Sequence, residues 1–224
     1  MALAAGESYR NYTETERWLM TGAGLVGMVA MVLSSTSVNT AVPAVMGAFG
    51  VGQDKAQWLS TAYFASMTGA MLLTSWLQHR FGQQAVFLCT MATFAAGSFL
   101  ASGAPDFNTI IIARVIQGFC AGLVQPLTMA IIFTVFPPER RGSAMGLFSL
   151  GVVLAPALGP ALGGLATDEL GWRYVFLLPL PMAALAVLAG GAFLPSGRGA
   201  AFRPFDWPGL VLMAIALGTI LDGL

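Results

Sequence analysis

Charge is what this sequence has least of. Lys, Arg, Asp and Glu together make up 9% of its 224 residues, against about 25% in a soluble domain. No run of basic residues is present, so no nucleic acid is expected as a partner. There is one histidine, His79, and there are two cysteines, Cys89 and Cys120. Their spacing offers neither a metal-ligand pattern nor a disulfide framework, and no metal or cofactor is expected. An enzyme embedded in a membrane would need several such groups at one depth, and the sequence does not group them. No G-x-x-x-x-G-K-S/T loop is present, which leaves direct ATP drive unsupported. Both cysteines fall inside apolar runs and read as small core residues.

Apolar sequence fills the space that charge leaves. Hydrophobic residues are 57% of the chain, and the mean hydropathy is +0.77. A bilayer core about 30 Å thick needs about 20 apolar residues per helix. Six runs of that order lie at 18–46, 56–77, 85–102, 109–136, 142–167 and 174–194. A seventh begins at residue 208 and is still running at 224. The fold class expected is all-α integral membrane. It has an arm at 1–17, a six-helix bundle at 18–194, a linker at 195–207 and the start of a seventh helix at 208–224. A soluble stack of buried helices is the competing reading, and the scarcity of charge argues against it. The arm is polar and the first run is too long for a signal h-region, so no cleavable signal peptide is expected.

The few charges set an orientation. Arg10, Arg17, Arg80, Arg140, Arg141, Arg198 and Arg203 fall on one side of the predicted topology, and Lys55 and Arg173 on the other. The positive-inside rule places the N-terminus and the arginine-rich turns in the cytoplasm. Arg114 is the exception, because it lies within the fourth run.

Four stretches carry more than hydropathy. In the fourth run, Gln117 and Gly118 share a helical face with Arg114, and Gly118 and Gly122 form a small-xxx-small surface. An arginine in a span costs about 2.5–3.5 kcal/mol on insertion scales, so it either faces the bundle with a partner or snorkels outward. In the fifth run, Pro156 and Pro160 each remove a helix hydrogen bond, and Gly151, Gly159, Gly163 and Gly164 thin the surface. That helix reads as bent and closely packed, either with a transport role or only as a kinked packing element. Asp168 to Phe176 makes an outer turn with Trp172 and Tyr174, which alone reads as an interfacial aromatic anchor. In the first run, Ser34, Ser35, Thr36, Ser37, Asn39 and Thr40 form a hydroxyl-rich patch that is either interhelical glue or the wall of a wet cavity. Counted at 1.5 Å per residue, Ser34 lies about 24 Å and Arg114 about 21 Å from the inner face, so contact between them is feasible.

Together these stretches resemble the signature motifs of the major facilitator superfamily, and more narrowly its fourteen-span drug:proton antiporter branch. An R-x-x-Q-G-x-x-x-G pattern is matched at Arg114, Gln117, Gly118 and Gly122, and an antiporter motif at Pro156, Gly159, Pro160, Gly163 and Gly164. The turn Gly171-Trp-Arg-Tyr-Val-Phe176 resembles the family's G-W-R-W-x-F. Gln57, Trp58 and Tyr63 match the start of its second helix, and the stretches around Asp206 and Asp222 resemble the ends of its seventh. The resemblance implies a multi-pass protein of the inner (plasma) membrane, with a substrate site between two six-helix halves. Its implied partners are the lipid bilayer, a small amphipathic substrate, protons, a periplasmic adaptor protein and a C-terminal half that this chain lacks. It also implies that Arg114, Gln117, Ser34 and Asn39 serve proton coupling and transport. His79, Arg80 and Gly82 correspond to a cytoplasmic gating loop.

The chain departs from the family pattern in three places. Ser34 stands where relatives usually carry an aspartate in the first helix, although Thr36, Asn39, Ala41 and Pro43 match. His79 replaces the acid of the second–third loop, and Gln83 and Gln84 replace two of its bases. The length accommodates one half of such a transporter, so a fragment is expected, with a paired half-size protein as the other option. The function expected is proton-coupled export of amphipathic compounds by alternating access. The missing first-helix acid favours neutral or anionic lipophiles over monovalent cations. A metabolite facilitator or importer, or a non-transporting membrane partner or receptor, are the alternatives.

Overall fold

The computed structural model of the chain describes residues 12–196. The first eleven residues, most of the linker and the seventh run at 208–224 lie outside the described residues.

Helix α1 (Glu14–Phe49) starts before the apolar run does, because its N-terminus is capped. The Glu16 N–H donates to the Thr13 hydroxyl, and the Thr13 N–H donates to the Glu16 carboxylate at 2.8 Å. That backbone donor holds the Glu16 carboxyl below the usual carboxylate range. The helix stops at Gly50, whose φ of 62° lets the Val51 N–H turn back to the Met46 carbonyl.

The second run is not one helix. It forms α2 (Gln53–Ala56), α3 (Trp58–Met71) and α4 (Thr74–Phe81). Leu72 and Leu73 stay right-handed between α3 and α4, but the Leu73 N–H tightens onto Ala70, a 3₁₀-type step. Nothing in that stretch of sequence marks the break. Next come α5 (Gln83–Ser102) and α6 (Phe107–Val135), the latter N-capped by Asp106, which accepts from the Thr109 N–H at 2.8 Å. A 3₁₀ turn at Pro138–Arg140 leads into α7 (Arg141–Glu169). The sixth run divides into α8 (Trp172–Val175) and α9 (Leu180–Phe193). Pro179 and Pro181 at that junction lack the N–H that would continue the first turn. Among the described residues, five segments are each long and apolar enough to cross a bilayer, and the second run reaches that length only across the α3–α4 step.

Helices α1 and α6 lie at the centre. Helix α3 packs along α6, α7 along α1, and α5 and α9 close the remaining sides. Lipid tails are as apolar as leucine, so close van der Waals fit has to hold such helices together. The glycines supply that fit. A Cβ on Gly118 or Gly122 would strike the α3 backbone at Tyr63 or Met67. A Cβ on Gly159 or Gly163 would strike α1 at Thr36 or Ser37. Gly151 also rests on α1, near Met28 and Val29, whereas Gly164 has open space around it. One side of the hydroxyl patch is therefore glue, as Thr36, Ser37 and Thr40 receive the α7 glycines.

The apolar core falls into two clusters. One gathers Met28, Met31, Phe87, Met91, Val124 and Leu127 in the half nearer the start of α1. The other gathers Val38, Val45, Leu59, Ile110, Val175 and Phe176 at the far end. Cys120 is buried, as expected, but Cys89 is exposed. The helical period turns Phe87, Met91 and Phe94 of α5 inward, which leaves Cys89 on the outer surface. Hydropathy alone does not separate a lipid-facing position from a core one.

Gly118→Ala should lower the unfolding free energy of the full-length protein by about 1–3 kcal/mol, as overpacking typically does. Gly69→Ala, on the open side of α3 with nothing near its Cβ, should leave it unchanged or slightly raised. Reversible unfolding in mixed micelles would measure both, and equal effects would contradict the packing described.

Candidate functional site

Between the two apolar clusters lies a polar layer built around Arg114. The side chain is fully buried, so the outward-snorkelling alternative does not hold. Burial of a guanidinium requires donors to be matched. The Arg114 Nε donates to the Leu59 carbonyl of α3 at 2.8 Å. Nη1 donates to Gln117 Oε1 at 3.0 Å and, at longer range, to the Ser34 hydroxyl and carbonyl of α1 at 3.4 and 3.5 Å. The guanidinium carbon lies 4.1 Å from the centre of the Tyr63 ring, a cation–π contact. Gln117 passes the network on, because its Nε2 donates to the Ser98 hydroxyl of α5 at 2.9 Å. Four spans thus meet at one arginine.

Among the described residues, the charge itself has no carboxylate partner. The acids of the described residues, Glu14, Glu16, Asp54, Asp106, Glu139, Asp168 and Glu169, all sit at helix ends or turns. Nη2 of Arg114 is buried without a hydrogen-bond partner. Ser34 faces the guanidinium from the position where an acid was expected by resemblance, and it offers only a hydroxyl.

Of the residues grouped in the sequence, Arg114, Gln117 and Ser34 come together and Asn39 does not. Asn39 is exposed and accepts from the Ser60 hydroxyl at 3.0 Å. It borders a cleft of about 320 Å³ with Gln53, Gln57, Ser60 and Thr61. Five residues further along the chain, at 34 against 39, the helical turn has carried the side chain to another face. Tyr63 and the Leu59 carbonyl were not foreseen as partners of Arg114, nor Ser98 as the partner of Gln117. A hydroxyl inside the apolar third run, one of several there, was the available signal for Ser98, whereas a backbone carbonyl leaves none.

Tyr63 also forms a wall of a second feature. A cavity of about 270 Å³ opens between α1, α3, α6 and α7, lined by Met28, Met31, Tyr63, Phe64, Met67 and Pro156 among others. Its polar lining includes Ser35, Thr36 and Gln125, and none of its lining residues is charged. Pro156 and Pro160 are both exposed on α7, and Pro156 lines this cavity, while the glycines of the same helix hold α1.

The remaining motif residues secure the two ends. Arg173 donates to the Ser102 and Ala104 carbonyls at 2.6 and 3.2 Å and stacks on Trp172 at 4.5 Å. It therefore caps the end of α5, a role beyond the aromatic anchor. Gly171, with φ of 98°, makes the turn that aims it. At the opposite end, Gly82, with φ of 85°, joins α4 to α5. His79 lies in the last turn of α4, its Nδ1 2.6 Å from the Ser75 carbonyl, and both it and Arg80 are exposed. Gln84, one of the two glutamines replacing bases, donates to the Gly191 carbonyl near the end of α9 at 2.9 Å. Arg141 donates to the Phe133 and Phe136 carbonyls and so caps α6, and Arg140 pairs with Glu14 at 2.8 Å.

Gln117→Leu should cost about 1.5–3 kcal/mol of stability, the worth of a hydrogen bond to a charged group, since it strips Arg114 of its 3.0 Å acceptor and unpairs Ser98. Ser34→Ala should cost under about 1 kcal/mol, because its hydroxyl contact is long and its carbonyl remains. Chemical unfolding of both variants would rank them, and the reverse order would contradict this account of the layer.

The comparisons with known proteins agree with this architecture. Residues 24–220 match the Major Facilitator Superfamily. The chain is 34% identical over 203 residues to the multidrug export protein EmrB of Haemophilus influenzae, covering 90% of this chain and 40% of that protein. It is 30% identical over 204 residues to the fatty acid resistance protein FarB of Neisseria gonorrhoeae, covering 91% and 40%. Among solved structures, the proton:xylose symporter XylE bound to 6-bromo-6-deoxy-D-glucose superposes with a TM-score of 0.72 at 16% identity, over 83% of this chain and 46% of that one. The chain spans less than half the length of the curated relatives it matches. On these matches and this fold, the chain belongs to the Major Facilitator Superfamily.

Proposed function

We propose that the chain is the N-terminal half of a proton-coupled exporter of amphipathic compounds that works by alternating access. The observation that carries the reading is the buried Arg114 layer, which ties α1, α3, α5 and α6 together beside a largely apolar cavity. A transporter's half has to move as one body against its partner half, and a charge anchored to four spans makes the half rigid at that depth. The uncovered prolines of α7 and the open cavity give the second half a surface to meet. The likeness to the Haemophilus multidrug export protein supports the substrate breadth. The likeness to XylE supports the fold alone.

Arg114 keeps its proton at any physiological pH, so in this reading it organises coupling rather than carrying the proton. No acid lies in the interior of a span among the described residues, and this reading assigns the proton-carrying group to residues outside them. Arg80, Arg140 and Arg141 at one end, with Lys55 and Arg173 at the other, support an inner-membrane protein with a cytoplasmic N-terminus. A periplasmic adaptor completes the export route in this proposal.

Everted vesicles holding the full two-half protein should accumulate a lipophilic probe under an acid-inside gradient and lose it when the gradient is collapsed. Arg114→Ala should insert normally, yet substrate-triggered proton release should fall at least tenfold. Gradient-independent accumulation would sink proton coupling, and normal proton release in the variant would sink the role given to Arg114.

A further inference from the structure

We propose that this half binds an organic anion with an apolar tail, its acid group paired with Arg114 and its tail held in the methionine-lined cavity. The inference rests on the transporter reading and names its substrate class. Its starting point is an imbalance of charge. A buried guanidinium ordinarily has a carboxylate beside it, and Arg114 has carbonyls, an amide, a hydroxyl and a ring instead. Nη2 is buried with its hydrogen-bonding capacity unused. The acids of the described residues sit only at helix ends and turns. The position facing the guanidinium from α1 is Ser34, which is neutral.

The second observation is the place of the cavity. Its lining includes Met31, Ser35 and Tyr63, the same turn of α1 and the same ring that enclose Arg114. Tyr63 is a wall common to both, since it lines the cavity and lies 4.1 Å from the guanidinium carbon. A single hydrogen bond, from its hydroxyl to the Met31 carbonyl at 2.8 Å, fixes the ring from the α1 side. In this proposal the Tyr63 ring turns aside as the ligand enters, and the acid group reaches the guanidinium behind it. Met28, Met31 and Met67 are unbranched and adaptable, suited to tails of varied shape. The cavity's 270 Å³ is below the usual 300–1,000 Å³ of a complete small-molecule site, which fits a site walled by one half only.

The charge argument selects among ligands. A cation would enter a site holding a like charge and no described carboxylate. A neutral amphiphile would fill the cavity and leave Nη2 unpaired. A carboxylate or sulfonate supplies both the missing countercharge and the missing acceptor.

The test uses the full-length protein in phosphatidylcholine nanodiscs at pH 8. Three fluorescent probes share a dansyl-tagged undecyl chain and end in a carboxylate, an alcohol or a trimethylammonium group, with empty discs as background. The carboxylate should bind at least tenfold tighter than the alcohol, and the ammonium weakest. Arg114→Gln should erase the difference between carboxylate and alcohol. Ser34→Asp, which supplies an internal countercharge and retains Arg114, should erase it too. Equal binding of carboxylate and alcohol by the unaltered protein, or a preference that survives Ser34→Asp, overturns the inference. Gradient-driven uptake of a lipophile with no anion preference would sink this inference and leave the transporter reading standing. An anion preference with no gradient-driven uptake would do the opposite.

Discussion

Everything in this half is arranged around the difficulty of keeping a guanidinium out of water. Arg114 cannot lose its charge, and a bilayer offers it no solvent. The molecule answers by bringing four spans to it: a carbonyl from α3, a hydroxyl from α1, an amide from its own helix and, through that amide, a hydroxyl from α5. Those contacts fix the rotation of each helix about its axis, which apolar packing alone leaves loose. The two core clusters above and below the layer then have one register available.

The glycines serve the same constraint from the other direction. Donors on α6 reach α3 only because α6 presents Gly118 and Gly122 to the α3 backbone. Helix α1 is pressed toward Arg114 from behind by α7, whose Gly159 and Gly163 sit on Thr36 and Ser37. The antiporter-motif helix thus meets α1 through its glycines, while its exposed prolines are left uncovered for whatever stands opposite.

Hydropathy made the six runs legible, since the bilayer sets a length that few other environments demand. Their subdivision was less legible. The prolines at 179 and 181 announce the break between α8 and α9, but Leu72 and Leu73 carry no breaker and still tighten the backbone. At the site, depth counting brought Ser34 and Arg114 to one level, and the observed contact agrees. The family resemblance also placed Asn39 in the group, but on α1 it lies on another face, beside Ser60. The Leu59 carbonyl was invisible because every residue has one. The capping roles of Arg173 and Arg141 were hidden for a related reason: their partners are backbone atoms at helix ends distant in sequence.

The two ends of the bundle are fastened by different kinds of chemistry. At one, Arg173 grips backbone carbonyls beside the rings of Phe49, Trp172 and Phe176. At the other, α1 is tied to the turn before α7 by an ion pair, Glu14 to Arg140, that is more than half exposed on both sides. Because it is exposed, such a pair weakens as dissolved salt rises, whereas salt has little purchase on contacts to carbonyls and aromatic rings. Ionic strength on the Glu14 side therefore acts as a selective loosening agent, slackening α1 where it enters the bundle while the opposite clasp stays shut.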